Sequence, residues 1–247
     1  MKPTLIIISG MHRSSTSLIT QHLQLCGLCL GNNLLGTFRD NEDGYFENKT
    51  IVHSHQLLIQ SKNEHMFTLL PQETYPDDVK LIITSEVKLL SETSHVVGFK
   101  DPRNSLFINP LNDLFVDAKN LMVYRIYEEV IDSLIRRKTD KILRFRPWIA
   151  AKAWIRYNEE LVKFYDQNKS KSLLFIDSSI IKEPELCIHL INQKFDISLR
   201  AESINKIYKP HLTKRDASYG WKTKLACFLY RGQLNETLQK LEERRAK

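Results

Sequence analysis

The sequence predicts an α/β fold of three layers, a P-loop-like arrangement in which a central, mostly parallel sheet carries helices on both faces. Three observations lead there. Short runs of consecutive apolar residues, the mark of strands buried on both sides, alternate with longer stretches of helical period. The first such run passes through a serine-rich turn directly into a helix. At 247 residues the chain is long enough for one large α/β core, so residues 1–247 are expected to form a single domain with 198–247 as a basic cover and terminal helix.

The elements follow in order. "TLIIIS" at 4–9 is short, apolar and rich in β-branched residues, as a buried parallel strand should be. Leu18, Ile19, Leu23, Leu25 and Cys26 then recur at helical spacing, and Gly27 supplies the stop. A helix is expected to begin near Thr50. The stretch 78–91 places Val79, Ile82, Ile83, Val87 and Leu90 on one helical face, and 128–138 does the same with Val130, Ile131, Leu134 and Ile135. Residues 148–167 carry Ala151, Trp154, Ile155, Asn158, Leu161, Val162 and Tyr165 on one side, and Pro184 opens a further helix at its favoured first position. Strands are expected at 95–99, 121–125 and 172–176. The segment 198–232 is less periodic and basic, while Leu234, Leu238 and Leu241 line one face of a charged tail helix. In open sheets of this kind ligands bind beyond the carboxyl ends of the strands, so the segments after each strand are the places to search.

Composition narrows the classes. Hydrophobic residues make up 42% and charged residues 26% of the chain, which excludes a disordered or low-complexity protein. Cys26, Cys29, Cys187 and Cys227 lack the paired spacing of a zinc site and read as reduced thiols. No apolar run approaches the ~18 residues of a membrane span, so a cytoplasmic protein without a transmembrane segment is expected. Lys plus Arg number 36 against 29 for Asp plus Glu, a net charge of +7 that can attract nucleic acid, an anionic membrane or a small polyanion and does not by itself choose among them. Nucleic acid is not expected, because no recognition helix or zinc module gathers the basic residues.

The loop after the first strand is the sharpest signal. In Ser9, Gly10, Met11, His12, Arg13, Ser14, Ser15, Thr16 and Ser17, amides entering a helix N-terminus can converge on an anion, hydroxyls can add hydrogen bonds, and Arg13 supplies a forked cation. A helix-capping turn is the plainer alternative. The Gly-Lys-Ser/Thr ending of a triphosphatase loop is missing, which favours a phosphate ligand bound without metal.

This loop resembles the 5′-phosphosulfate loop of sulfotransferases that use 3′-phosphoadenosine 5′-phosphosulfate (PAPS), particularly the bacterial group whose loop reads G-M-H-R-S-G-T-S. "NEDGYFENKTIV" (41–52), "GFKDPR" (98–103) and "VYRIYEEVIDSLIRR" (123–137) agree with the family in chain order. The resemblance covers roughly the first 140 residues and is weak beyond Tyr157. It implies that Gly10, His12, Arg13, Ser14, Ser15, Thr16 and Ser17 hold the phosphosulfate, and that Arg125 and Ser133, eight residues apart, hold the 3′-phosphate. Lys214 and Arg215 before "YGWK" resemble the late 3′-phosphate loop only loosely, and a solvated basic patch accounts for them. Ser15 departs from the pattern, standing where that group has glycine. A positive φ there would cost about 1 kcal/mol.

For the chemistry, the resemblance implies PAPS as co-substrate, no metal, and a carbohydrate, lipid or small-metabolite hydroxyl as acceptor. Arg13 and Lys100 are the cations expected to neutralise the leaving phosphate. Glu47 in "GYFEN" is similar to the general base of some glycan sulfotransferases, and partial burial between aromatics would raise its pKa as a base requires. Asp101 is the rival base or else the ion-pair partner of Lys100 or Arg103. His53 and His55 read as packing or surface residues, and His12 as shaping the loop. Two other functions stand beside this one: a P-loop nucleotide kinase, and a catalytically silent phosphonucleotide- or polyanion-binding protein.

Overall fold

A computed structural model describes residues 2–36, 44–137, 140–208 and 218–246. Four parallel strands, β1 (Thr4–Ser9), β2 (Val96–Lys100), β3 (Lys119–Tyr124) and β4 (Ser172–Ile176), form one sheet in the order β2-β1-β3-β4. The register pairs Ile6 with Gly98 on one side of β1, Ser9 with Met122 on the other, and Met122 with Leu174 beyond. Each strand has an apolar centre because each is covered twice. Ile7, Met122, Tyr124, Leu174 and Ile176 point into one core, whereas Ile6, Ile8, Leu121, Val123, Leu173 and Phe175 point into the other. The two-residue alternation of side chains along a strand divides the same sequence between the two layers.

On the second face lie α1 (Thr16–Leu25), α8 (Asp177–Lys182) and α9 (Pro184–Phe195), through Ile19, Leu23, Ile180, Ile188 and Ile191. The first face carries α2 (Lys49–Ser61), α3 (Asp77–Ser91), α4 (Ile108–Leu114), α5 (Tyr127–Arg136), α7 (Trp148–Gln167) and α11 (Arg231–Arg244). The three-layer α/β reading of the sequence therefore holds, and β1, β4 and α7 have the bounds expected. Gly27, at φ 108°, ends the run of α1 in a conformation other residues avoid. The tail helix buries Leu234 and Leu241 fully, as its stripe predicts.

Two corrections concern the helices. Residues 198–232 are not an irregular cover throughout, since α10 (Trp221–Leu229) lies against α5 and α7. Its inward residues are Thr223 and Ala226, so the ordinary sign of an amphipathic helix is inverted and the period is hard to read. The short helices α4 and α6 (Lys141–Phe145), and α8 directly after β4, offer too few turns for a periodic signal.

β1 sits at the point where the chain's crossovers leave in opposite directions, to β2 on one side and β3 on the other. A crevice opens at the carboxyl ends of such strands. Gly10 sets how closely the loop after β1 approaches β3. A Cβ there would stand 2.4 Å from the Val123 carbonyl oxygen and 2.8 Å from Thr16 Cγ2. Gly10→Ala is accordingly expected to lower stability in urea unfolding by about 1–3 kcal/mol, the range of an overpacked core. Gly232→Ala, where an added Cβ meets nothing within 4 Å, should leave stability unchanged or raise it by up to about 1 kcal/mol.

Candidate active site

All four strand ends feed one site. After β1 the loop 10–15 turns tightly, with Ser14 N–H bonded to the Met11 carbonyl (3.1 Å), before Ser15 takes the N-cap position of α1 without a side-chain capping bond. Arg13 and Ser15 have positive φ, 71° and 61°. The glycine-like conformation raised by the Ser15 departure is thus present, and Ser15 is held in it by an Oγ hydrogen bond to Asp177 (2.9 Å) at the end of β4. Phe46, next to Glu47, is also left-handed at φ 54°. Strained residues of this kind persist where surrounding structure over-determines them, and they gather at functional sites.

The loop, β2 and the entry to α2 meet at Lys100. This side chain is buried at the end of β2 and donates to Glu47 Oε1 (2.6 Å) and to Ser17 Oγ (3.2 Å). Burial pushes the Glu47 carboxyl above its usual range, and the Lys100 charge opposes that rise. Asn48 caps α2 by accepting from the Ile51 N–H (3.2 Å), which fixes the chain directly after Glu47.

Asp101 lies behind this pair and is fully buried. It accepts from Arg103 Nη2 (2.7 Å), from the Arg103 N–H (2.9 Å) and from His55 Nδ1 (2.9 Å). Burial works against its ionisation, yet Arg103 and His55 hold its carboxyl well below the usual range. Of the roles the sequence leaves to Asp101, the geometry realises the ion pair with Arg103. His55 is a packing residue, bonded also to Tyr75 Oη and stacked on Phe107 with ring centroids 4.2 Å apart. His53 is exposed. His12 is held neutral, its pKa pushed down to about 3 by burial and then by Arg103, and its ring meets Phe67 and Tyr157 edge-on. Such a histidine shapes the loop, as its position suggests, and is too weakly basic to take a proton.

On the other side of the loop, Arg13 Nε donates to Ser133 Oγ (2.8 Å) and Arg125 Nη1 reaches the Arg13 carbonyl (3.4 Å). The structure therefore brings Arg13, Arg125 and Ser133 together across more than a hundred residues of sequence. Trp154 Nε1 holds the Arg125 carbonyl (3.0 Å) and steadies the end of β3. Partial loss of solvent and the charges of Arg137, Arg125 and Arg136 all push the Arg13 pKa down, the signature of a crowded positive field. Three carboxylates answer it: Glu129 pairs with Arg125, Asp177 lies 3.5 Å from Arg125 Nε, and Asp132 pairs with Arg136. Asp177 escaped the sequence reading, although a carboxylate directly after "SLLFI" at a strand end was a visible sign. Arg137 was passed over within its longer motif. Lys214 and Arg215 lie outside the described residues.

A cavity of about 240 Å³ opens beside Arg13 and Glu47, and Lys100, Arg125 and Ser133 are not among its lining residues. Arg13, Ser17, Glu47, Arg103 and Arg137 give it a mostly cationic wall with one carboxylate, while His12, Val52 and Met66 supply its less polar side. Ser14 Oγ and His12 Nε2 are buried beside it without a hydrogen-bond partner. Orphaned polar atoms at a cationic loop fit an anionic ligand better than a closed structural turn.

Comparison with solved structures agrees on architecture. The chain superposes over its whole length on a sulfotransferase from Alicyclobacillus acidocaldarius, covering 98% of that chain with a TM-score of 0.55 at 12% identity. Over 93% of its length it matches the sulfotransferase domain of the Synechococcus PCC 7002 olefin synthase, covering 94% of that chain with a TM-score of 0.50 at 13% identity. At these identities the likeness is one of fold. No protein-family model matches the chain, and no curated protein matches it in sequence.

Two stability predictions follow from the geometry. Ser15→Ala keeps the strained φ and loses the bond to Asp177, so it should be less stable than the wild type by about 1–2 kcal/mol. Ser15→Gly should recover about 1 kcal/mol of that deficit, and equal stability of the two variants would contradict the strain. Asp101 has a folded pKa below its ordinary value of about 3.9, so its contribution is complete above that value and is lost as pH falls through the folded one. Asp101→Asn should therefore be destabilised by about 3–5 kcal/mol near neutrality and show a flatter acid limb than the wild type in pH-dependent unfolding.

Proposed function

We propose that this protein is a sulfotransferase, moving a sulfuryl group from PAPS to a hydroxyl on a carbohydrate, lipid or small metabolite. The observation that carries the reading is the convergence of a phosphate-type loop, a buried Lys100–Glu47 pair and Arg125 with Ser133 at the carboxyl ends of one parallel sheet. The fold shared with sulfotransferase structures supports it.

PAPS, when bound, supplies a sulfuryl group activated by a good phosphate leaving group. The chain's own task is then to place an anion, orient an acceptor hydroxyl and accept its proton. The loop amides, Arg13 and the hydroxyls of Ser14, Thr16 and Ser17 are suited to the 5′ end of the donor, with Arg125 and Ser133 for its 3′-phosphate. Glu47 faces the cavity and is the proton acceptor in this reading. Lys100 touches both Ser17 and Glu47, so an anion arriving at the loop competes with Glu47 for the ammonium. Loosening that pair would expose a more basic carboxylate at the moment the donor is seated. The cavity is smaller than the ~300–1,000 Å³ typical of whole-ligand pockets, which suits the reacting end of an acceptor.

A kinase finds less support, since Ser15 and Thr16 stand where a triphosphatase loop carries its Gly-Lys pair, although Ser17 occupies the position of the magnesium-holding hydroxyl. A silent binding protein would keep the anion site without use for Glu47.

Titration calorimetry without magnesium separates the readings. Selective binding of 3′,5′-adenosine bisphosphate over ATP and AMP is expected, and preference for ATP would sink the proposal. Arg13→Ala and Arg125→Ala should each weaken that binding by about tenfold to a hundredfold. Glu47→Gln should retain binding and lower turnover by about 10²–10⁴-fold. Because a base must be deprotonated and burial raises this one, kcat/KM should climb with pH along a limb lying above the ordinary carboxylate value of about 4.3, and Glu47→Gln should lose that limb.

A further inference from the structure

Helix α10 turns its large apolar side chains outward. Trp221 is 70% exposed, Phe228 74% and Leu229 53%, with Leu225 beside them, while Thr223 and Ala226 face the protein. Thr223 Oγ1 is anchored to Asp132 (3.0 Å), so this orientation is fixed by a buried hydrogen bond. Phe145 at the end of α6, 74% exposed, belongs to the same face, because Lys222 Nζ donates to the neighbouring Arg144 carbonyl (2.7 Å). An outward cluster of tryptophan, phenylalanine and leucine on a water-soluble surface marks a contact site.

The charges around it choose the partner. Residues 141–158 and 218–235 contain no Asp or Glu, and they bring Arg144, Arg146, Lys152, Arg156, Lys222 and Lys224 to this side of the molecule. Lys152 Nζ lies over the Tyr230 ring at 5.5 Å and joins α7 to the end of α10. Of the acidic residues around the two stretches, Asp140 caps α6, Glu236 pairs with Lys240 and Asp132 with Arg136, whereas Glu159 follows the first stretch directly and Glu128 of α5 lies near Cys227 of α10. Next to this face a second cavity of about 340 Å³ is walled by Arg146, Lys152 and Arg156 with Phe67 and Trp148, and no carboxylate among the described residues lines it. Arg156 is partly engaged, donating to the Leu69 carbonyl (3.2 Å), whereas among the described residues no ion pair holds Arg146 or Lys152.

We propose that this face docks on an anionic phospholipid surface, with α10 lying in the interface and a headgroup phosphate received by the Arg146/Lys152/Arg156 cavity. Apolar side chains ringed by cations match the two layers of such a surface, hydrocarbon beneath phosphate. A protein partner would satisfy the apolar helix but gives no reason for eighteen consecutive residues on each of two segments to lack a negative charge. Among the described residues no helix is long and apolar enough to cross a membrane.

Sedimentation with vesicles tests this without the nucleotide, so its outcome is independent of the proposed activity. The full chain should pellet with phosphatidylcholine vesicles containing phosphatidylglycerol, stay in solution with phosphatidylcholine alone, and be released by salt. The double variants Trp221→Ser/Phe228→Ser and Arg146→Gln/Lys152→Gln, all at surface positions, should each reduce the partition by about tenfold while unfolding at the wild-type temperature. Equal partition on neutral vesicles, absence of binding to the anionic ones, or wild-type binding by both variants would overturn the proposal. Self-association of the wild type that Trp221→Ser/Phe228→Ser abolishes, in the absence of vesicle binding, would reassign the face to a second copy of the chain.

Discussion

The buried ammonium of Lys100 is the interaction around which the site is organised. A charge removed from water at the end of β2 must find compensating acceptors or it opposes folding by several kcal/mol. Glu47 and Ser17 provide them. One belongs to the segment entering α2 and the other to the first turn of α1, so a single requirement of charge satisfaction fixes three pieces of chain relative to one another. Directly behind it, Asp101 imposes the complementary demand and is met by Arg103 and His55. Alternating signs along Glu47, Lys100, Asp101 and Arg103 let four ionisable groups share a small volume in which any one of them alone would be unfavourable.

Across the loop the balance is less complete. Arg13, Arg125, Arg136 and Arg137 crowd one another, and Arg13 meets a serine hydroxyl where a carboxylate would neutralise it. Arg125 has drawn in Glu129 and Asp177 instead. Any phosphate received by Arg125 therefore competes with two carboxylates already in place, and its binding entails their displacement or their reorientation. The same carboxylates keep the arginines from repelling one another when no anion is present. Positive charge gathers beside the Ser14 hydroxyl, which lacks a partner, and there a ligand's charge would be well compensated.

Much of this was legible in the sequence because the strands are buried on both faces. "TLIIIS" and "SLLFI" read as strands without help from tertiary structure, and the segments after them were then the places to search for a site. Arg13, Lys100 and Glu47 could be singled out from their motifs, but their contact could not, since it spans 53 residues between Glu47 and Lys100. Asp101 could not be assigned between base and ion-pair partner until Arg103 was seen curling back onto it. Helix α10 was missed for a physical reason. A helix is recognised by a stripe that faces the core, and here the stripe faces out while a threonine and an alanine face in. The features hardest to read, Asp177 against Arg125 and the outward side of α10, are those that exist only once distant elements have packed.

Backbone strain completes the link between fold and site. Of the non-glycine residues with positive φ among those described, Arg13, Ser15 and Phe46 border the Lys100 cluster, and strain of this kind costs about 1–3 kcal/mol per residue. It is sustained by rigid surroundings: Gly10 is packed against β3, Ser15 is tied to Asp177, and Asn104 Nδ2 reaches back to the Ile8 carbonyl (3.0 Å) beneath the loop. A left-handed Phe46 turns the chain so that Glu47, the next residue, reaches Lys100 at the cavity while Asn48 remains free to cap α2. A regular extended chain through 45–48 would send alternate side chains to opposite sides and could not serve both ends in this way. Glycine at 46 would relax the turn but give up the partly buried phenyl ring that packs against the second core. The strain at Phe46 is thus the consequence of asking one short segment to deliver a buried carboxylate, an apolar anchor and a helix cap in three consecutive residues.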